Sequence, residues 1–143
     1  MDYAFEYVMD HGIQTEESYP YTAYDCQCRR KGYAVKIKSF VDLKDEKEVT
    51  AAVSSKGPVS AGIDGSTLSF YSHGIVDASS GCSNSEEDVN HAILIVGYGS
   101  EDGVDYWIAK NSWGVDWGEH GYFRIQRNVN ACGIALYNSY PVV

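Results

Sequence analysis

Positive charge is scarce in this chain: 11 Lys and Arg stand against 20 Asp and Glu, a formal net charge of −9. That leaves no basic footprint for nucleic acid or for an anionic membrane surface. Long apolar runs are missing as well, and none approaches the ~20 residues that a spanning helix needs. His11, His73, His91 and His120 and the four cysteines show no zinc-type spacing, so no metal and no cofactor are expected. Gly97-Tyr98-Gly99 does not open a helix and so makes no phosphate loop. Asn-x-Ser/Thr sites, repeats and low-complexity stretches are all absent. No secretory signal is visible, because Met1-Asp2-Tyr3 starts directly in a helical pattern. Four cysteines nevertheless suit disulfides and an oxidising compartment. An N-terminal segment lying upstream of Met1 would reconcile the two.

What remains is enough for one domain. The 143 residues, 44% hydrophobic and 22% charged, can bury a real core. Twelve tyrosines and three tryptophans favour β-rich structure. An acidic surface repels itself less at mildly acidic pH, which fits an endolysosomal or digestive setting.

Along the chain, apolar residues at 1, 4, 5 and 8 predict a helix over 1–11, with Gly12 as its stop. Residues 13–32 read as loop. Tyr33–Leu43 alternates as a strand. Asp45, with Glu48 three residues on, predicts a capped helix ending before Gly57-Pro58. Pro58–Ile63 reads as a buried strand, Leu68–Tyr71 as one helical turn, and Ile75-Val76 as extended. A hairpin over 91–111 comes next, then a Gly/Trp-rich loop, a strand at Tyr122–Gln126, a loop over 129–134 and a terminal extended segment over 136–142. Small helices followed by many strands predict an α+β fold around a barrel-like sheet.

The hairpin carries the chemistry. Its arms are His91-Ala92-Ile93-Leu94-Ile95-Val96-Gly97-Tyr98-Gly99 and Tyr106-Trp107-Ile108-Ala109-Lys110-Asn111, joined through Asp102-Gly103. Pairing about residue 101 sets 91 directly across from 111, close enough for an imidazole and an amide to hydrogen-bond. Alone, His91 reads as an ordinary strand residue and Asn111 as a strand end. Together, with Trp113 and Trp117 following at once, they read as a base and its orienting amide, screened from water.

Val89-Asn90-His91-Ala92, Val96-Gly97-Tyr98-Gly99 and Lys110-Asn111-Ser112-Trp113-Gly114 resemble the histidine and asparagine boxes of papain-family cysteine proteases. Met1-Asp2-Tyr3-Ala4-Phe5, Glu17-Ser18-Tyr19-Pro20-Tyr21, Gly57-Pro58-Val59-Ser60 and Cys132-Gly133-Ile134-Ala135 extend the likeness over the whole chain, nearest to the cathepsin L branch. The resemblance implies that His91 is the general base and acid, Asn111 its orienting group and Trp113 their shield, with Trp117 lining the leaving-group side. It places Met1, Gly62, Val89, Ala92 and Tyr137 around the apolar pocket for the second residue before the scissile bond. Tyr137 is bulky for its position and Gly62 small, which predicts a reshaped pocket. Asn90 stands where the family usually carries Asp, so a carboxylate near the site is expected to be lost. Cys82 and Cys132 match a family disulfide.

The departure from the family pattern is the nucleophile. A Cys-Gly-Ser-Cys-Trp-like segment and the Gln that precedes it do not occur. Cys26 or Cys28 matches a cysteine whose family partner lies upstream of Met1. A Cys26–Cys28 bridge would close a strained ring, and Cys-x-Cys beside Arg29-Arg30-Lys31 belongs to a loop remote from His91 in the family fold. The resemblance therefore implies residues 1–143 as the C-terminal part of a papain-like peptidase domain: the right, β-barrel lobe with one helix of the left. The expected function is that of a cathepsin L-type endopeptidase, lysosomal or secreted, inactive in this piece alone and poorly soluble through an uncovered apolar face. Its expected partners are peptide or protein substrates, the missing N-terminal lobe and cystatin-like inhibitors, with no nucleic acid and no membrane. The alternative is a non-catalytic relic that binds peptides or a protease.

Overall fold

The computed structural model describes residues 1–29 and 32–143. Arg30 and Lys31, the basic neighbours of the Cys-x-Cys pair, lie outside the described residues. The chain divides into two units, residues 1–41 with 141–143, and residues 42–140. Among the described residues it forms helices α1 (Asp2–His11) and α2 (Glu46–Ser55). The strands are β1 (Ser39–Leu43), β2 (Val59–Ile63), β3 (Ile75–Val76), β4 (His91–Glu101), β5 (Val104–Lys110), β6 (Tyr122–Gln126) and β7 (Tyr137–Val142). These seven strands are ordered β1-β7-β2-β4-β5-β6-β3. No helix among the described residues is long and apolar enough to cross a membrane.

In the first unit, α1 ends where the sequence says it should. Gly12 takes φ +72 and its N–H closes on the Val8 carbonyl at 2.8 Å. A Cβ there would fall 2.4 Å from the Tyr33 Cβ, so glycine is required twice over. Phe5 and Phe40 stack with centroids 5.5 Å apart. The strand expected over 33–43 is shorter, covering only Ser39–Leu43. Tyr33 and Val35 are exposed, and residue 35 makes one isolated bridge to Ile13. Of the alternating side chains ahead of Ser39 only Ile37 is buried, too little of a face to extend the ladder.

The second unit holds one continuous core. Val59, Ala61 and Ile63 of β2, Ile93 and Ile95 of β4, Trp107 and Ala109 of β5, and Phe123 and Ile125 of β6 are buried at alternate positions. Helix α2 closes that core with Val49 and Ala52. Asp45 caps it by accepting from the Glu48 N–H at 2.8 Å. The Glu48 carboxylate reaches back to the Lys44 N–H, also at 2.8 Å, one residue earlier than a standard capping box. Glu46 is buried and gathers three donors, Trp107 Nε1 at 2.9 Å and the N–H groups of Asn128 and Asn130 at 2.6 and 2.8 Å. It ties the helix start to β5 and to the 128–130 turn. Cys82 and Cys132 are disulfide-bonded across a separation of 50 residues, which stabilises by about 4 kcal/mol in the chain-entropy account.

The hairpin register differs from the expected one. Its turn is Asp102-Gly103, and the arms pair as Glu101↔Val104 down to Gly97↔Ile108. A bulge at Val96 then shifts the pairing to Ile95↔Ala109 and Leu94↔Lys110. His91 is thus not directly across from Asn111. Continuing the last register sets Asn111 level with Ile93, one side-chain step from His91 on the same face. Diagonal neighbours of that kind remain within reach of long side chains. Without the extra residue, 91 and 111 would project to opposite faces.

Candidate active site

Three strand ends meet at one edge of the sheet. His91 opens β4 opposite Ile63, the last residue of β2. Asn111 lies just past β5, held by its N–H to the Gly121 carbonyl at 2.9 Å. His91 Nε2 and Asn111 Oδ1 are 2.9 Å apart, and Asn111 is only 7% exposed. The Ser112 N–H also donates to Asn111 Oδ1, at 2.8 Å. A backbone donor can meet only the carbonyl oxygen of that amide, so Nε2 carries the proton it shares with Oδ1. Nδ1 is left to accept or deliver a proton.

Indole rings crowd this pair. Trp113 lies with its centroid 4.9 Å from the His91 ring at a 37° tilt. Trp117 meets Trp113 edge-on at 5.1 Å and is set by Tyr71 and Phe123 at 5.4 and 5.8 Å. Its Nε1 donates to the Leu68 carbonyl at 3.1 Å. Trp117 is thus packed against the core, while Trp113 stays 41% exposed beside the imidazole.

A carboxylate stands beside the site after all, contrary to the expectation drawn from Asn90. It comes from Asp64, just beyond β2 and only 4% exposed. Asp64 Oδ1 accepts from the Ser66 N–H at 2.9 Å and from Asn90 Nδ2 at 3.2 Å, and Oδ2 from the Ser83 N–H at 2.7 Å. Burial pushes its pKa up, but the Ser83 and Ser66 donors and the Asn90 amide outweigh this and hold the carboxyl below its usual value. Asn90 Oδ1 in turn accepts from the Gly65 N–H at 3.0 Å. A Cβ on Gly65 would come within 2.8 Å of the His91 Cβ and 3.0 Å of its Cγ, so this backbone lies against the imidazole. Asp64 and Gly65 escaped the sequence reading. The only signal was a polar residue and a glycine closing an apolar strand.

Of the residues expected around a pocket, Ala92, Gly62 and Tyr137 form a row across β4, β2 and β7, through the pairs Gly62↔Ala92 and Gly62↔Tyr137. A side chain at 62 would meet Val89 Cγ1 at 3.0 Å and Tyr137 Cβ at 3.3 Å. The room freed by Gly62 is thus taken by Val89 and Tyr137. The Tyr137 hydroxyl donates to Glu86, which raises its pKa. Met1 belongs to the first unit, at the start of α1. Cys26 and Cys28, also in that unit, are free and exposed.

A histidine thus meets an amide beside a tryptophan, where the ends of β2, β4 and β5 come together. The family model for papain family cysteine proteases matches residues 1–142, and the chain belongs to that family. It is 46% identical to cathepsin S of Mus musculus, over 100% of this chain and 43% of that protein. Digestive procathepsin L 3 of the Tenebrio molitor larval midgut superposes with a TM-score of 0.94 at 45% identity, covering 100% of this chain and 48% of that one. Bromelain of Ananas comosus, solved with the E64 inhibitor, gives 0.88 at 32% identity, over 99% and 68%. The α+β fold is papain-like and matches the right lobe of such proteases. The chain spans under half the length of the mouse relative.

Proposed function

We propose that these residues form the His/Asn-bearing, C-terminal part of a cathepsin L-like thiol endopeptidase. The observation that carries this reading is the 2.9 Å bond from His91 Nε2 to an Asn111 oxygen whose identity the Ser112 N–H sets. That bond leaves Nδ1 as the working atom. A cysteine thiolate from outside residues 1–143 attacks the peptide carbonyl, and the protonated Nδ1 gives its proton to the departing amine. Nδ1 then takes a proton from water as the hydroxide attacks the thioester, and the thiolate leaves. Asn111 holds the ring in the tautomer that both steps need. Trp113 excludes water from the hydrogen bond and strengthens it. The row Ala92, Gly62 and Tyr137, with Val89, forms the wall of an apolar pocket for the residue two before the scissile bond. Peptides, and cystatin-like inhibitors that occupy the same cleft, are the expected partners, in a lysosomal or secreted digestive setting.

The chain's own cysteines supply no nucleophile in this reading, since Cys82 and Cys132 are bonded to each other and the family resemblance assigns Cys26 and Cys28 to a loop remote from the histidine. Residues 1–143 alone are therefore expected to show no turnover of a fluorogenic dipeptide substrate and no active-site titration. In the full-length protein His91→Ala should lower kcat about 10²–10⁴-fold. Turnover by the isolated piece, or an active His91→Ala protein, would refute the assignment.

A further inference from the structure

We infer that Asp64 and Asn90 are positioning residues that hold the Gly65 backbone against the His91 imidazole; this rests on the reading of His91 as the base. One hydrogen bond at Nε2 anchors a single corner of the ring and leaves it free to swing about that corner. The plane must be set by what flanks it. Trp113 provides one contact, at 4.9 Å between centroids. Gly65 provides another, with the ideal Cβ direction only 2.8–3.1 Å from His91 Cβ, Cγ and Cδ2. The Gly65 peptide is in turn oriented through its N–H to Asn90 Oδ1, and Asn90 through its Nδ2 to Asp64.

Asp64 is the rigid end of this chain of contacts. Its carboxylate takes the Ser66 and Ser83 N–H groups as well as the Asn90 amide, and its own N–H donates to the Cys132 carbonyl at 2.8 Å. Ser83 follows Cys82, so the disulfide braces both sides of Asp64. The couple is one charge and one neutral amide, a pairing that keeps its geometry wherever Asp64 is ionised. The titratable groups nearby are Asp64, His91 and the Glu86, Glu87 and Asp88 turn ahead of Asn90.

Two substitutions in the full-length enzyme test this, with kcat and KM followed against pH and the His91 ring nitrogens followed in ¹⁵N-histidine spectra. Asp64→Asn leaves three donors competing for one carbonyl oxygen. It should lower kcat about a hundredfold with KM little changed, and disturb the Nδ1/Nε2 signals. Asn90→Asp sets two carboxyls together, which share one proton at low pH and repel once both ionise. That variant should match the parent at acid pH and lose kcat as pH rises through the raised carboxyl ionisation, where the parent has no such loss. Should Asp64→Asn fail to fold, the isosteric Asn90→Asp decides alone. An active His91→Ala enzyme would remove the base assignment itself. A dead His91→Ala enzyme, with Asn90→Asp keeping the parent's pH profile and ring signals, would overturn the positioning couple.

Discussion

At the scale of single residues, the site is a matter of which atom faces which. The meeting of His91 and Asn111 was legible from the sequence because one opens an apolar run, the other closes one, and Trp113 follows. Asp64, Gly65 and Glu86 were not, because their roles depend on partners 19 to 51 positions away that no local pattern announces. Removing the oriented amide should be costly. Asn111→Ala, in the full-length enzyme, is expected to lower kcat about 10- to 100-fold, the loss of ~1.5–3 kcal/mol for a hydrogen bond to a group that becomes charged. The same variant should lose the single Nε2–H tautomer in ¹⁵N-histidine spectra. Tyr137 invites a specificity test. Tyr137→Ala empties space beside Gly62, so kcat/KM for a Phe or Leu at the second residue before the cut should rise at least about tenfold relative to Ala there. Equal ratios in the two enzymes would show that Tyr137 does not shape the pocket.

At the scale of elements, one extra residue decides whether the site exists. The apolar runs of β4 and β5 showed a hairpin, and the Asp102-Gly103 pair showed its turn. The one local cue to the bulge at Val96 is Gly97 inside an apolar strand, and it does not say how far the register shifts. Yet that bulge turns 91 and 111 to a common face. The expected contact was thus right and the expected register wrong. Helix α2 shows the reverse case. Its cap was readable, while the deeper role of Glu46 was hidden inside an ordinary acidic first turn. Glu46→Ala would strand an indole N–H and two backbone N–H groups, and should cost about 3 kcal/mol in urea unfolding. Glu46→Gln keeps one acceptor oxygen and should lose less. Equal stability of Glu46→Ala and the parent would contradict the three-donor arrangement.

At the scale of the whole molecule, stability against acid follows from its carboxylates. Asp64 is held low by backbone donors and Asn90 despite burial, Glu119 by the Arg124 guanidinium, and Asp77 by the Ser79 hydroxyl and N–H. Each folded pKa lies below its unfolded value of about 4. Their contribution is therefore complete above pH ~5 and is lost as pH falls through the lowered folded values. Thermal midpoints should be flat with respect to these groups at neutral pH and fall below pH ~4, with a shallower fall in Asp64→Asn. Reducing Cys82–Cys132 should remove about 4 kcal/mol at any pH, seen as a lower urea midpoint.

Composition, the order of helices and strands and the meeting of His91 with Asn111 were legible in the linear chain, because periodicity, turn chemistry and short motifs are local properties; the Cys82–Cys132 pairing came only through the family resemblance. The shift from bulge to common face, the carboxylate at Asp64 and the glycine pressed on the imidazole were decided only on folding. They depend on strands distant in sequence coming into register, where a displacement of one residue reverses every side chain it carries.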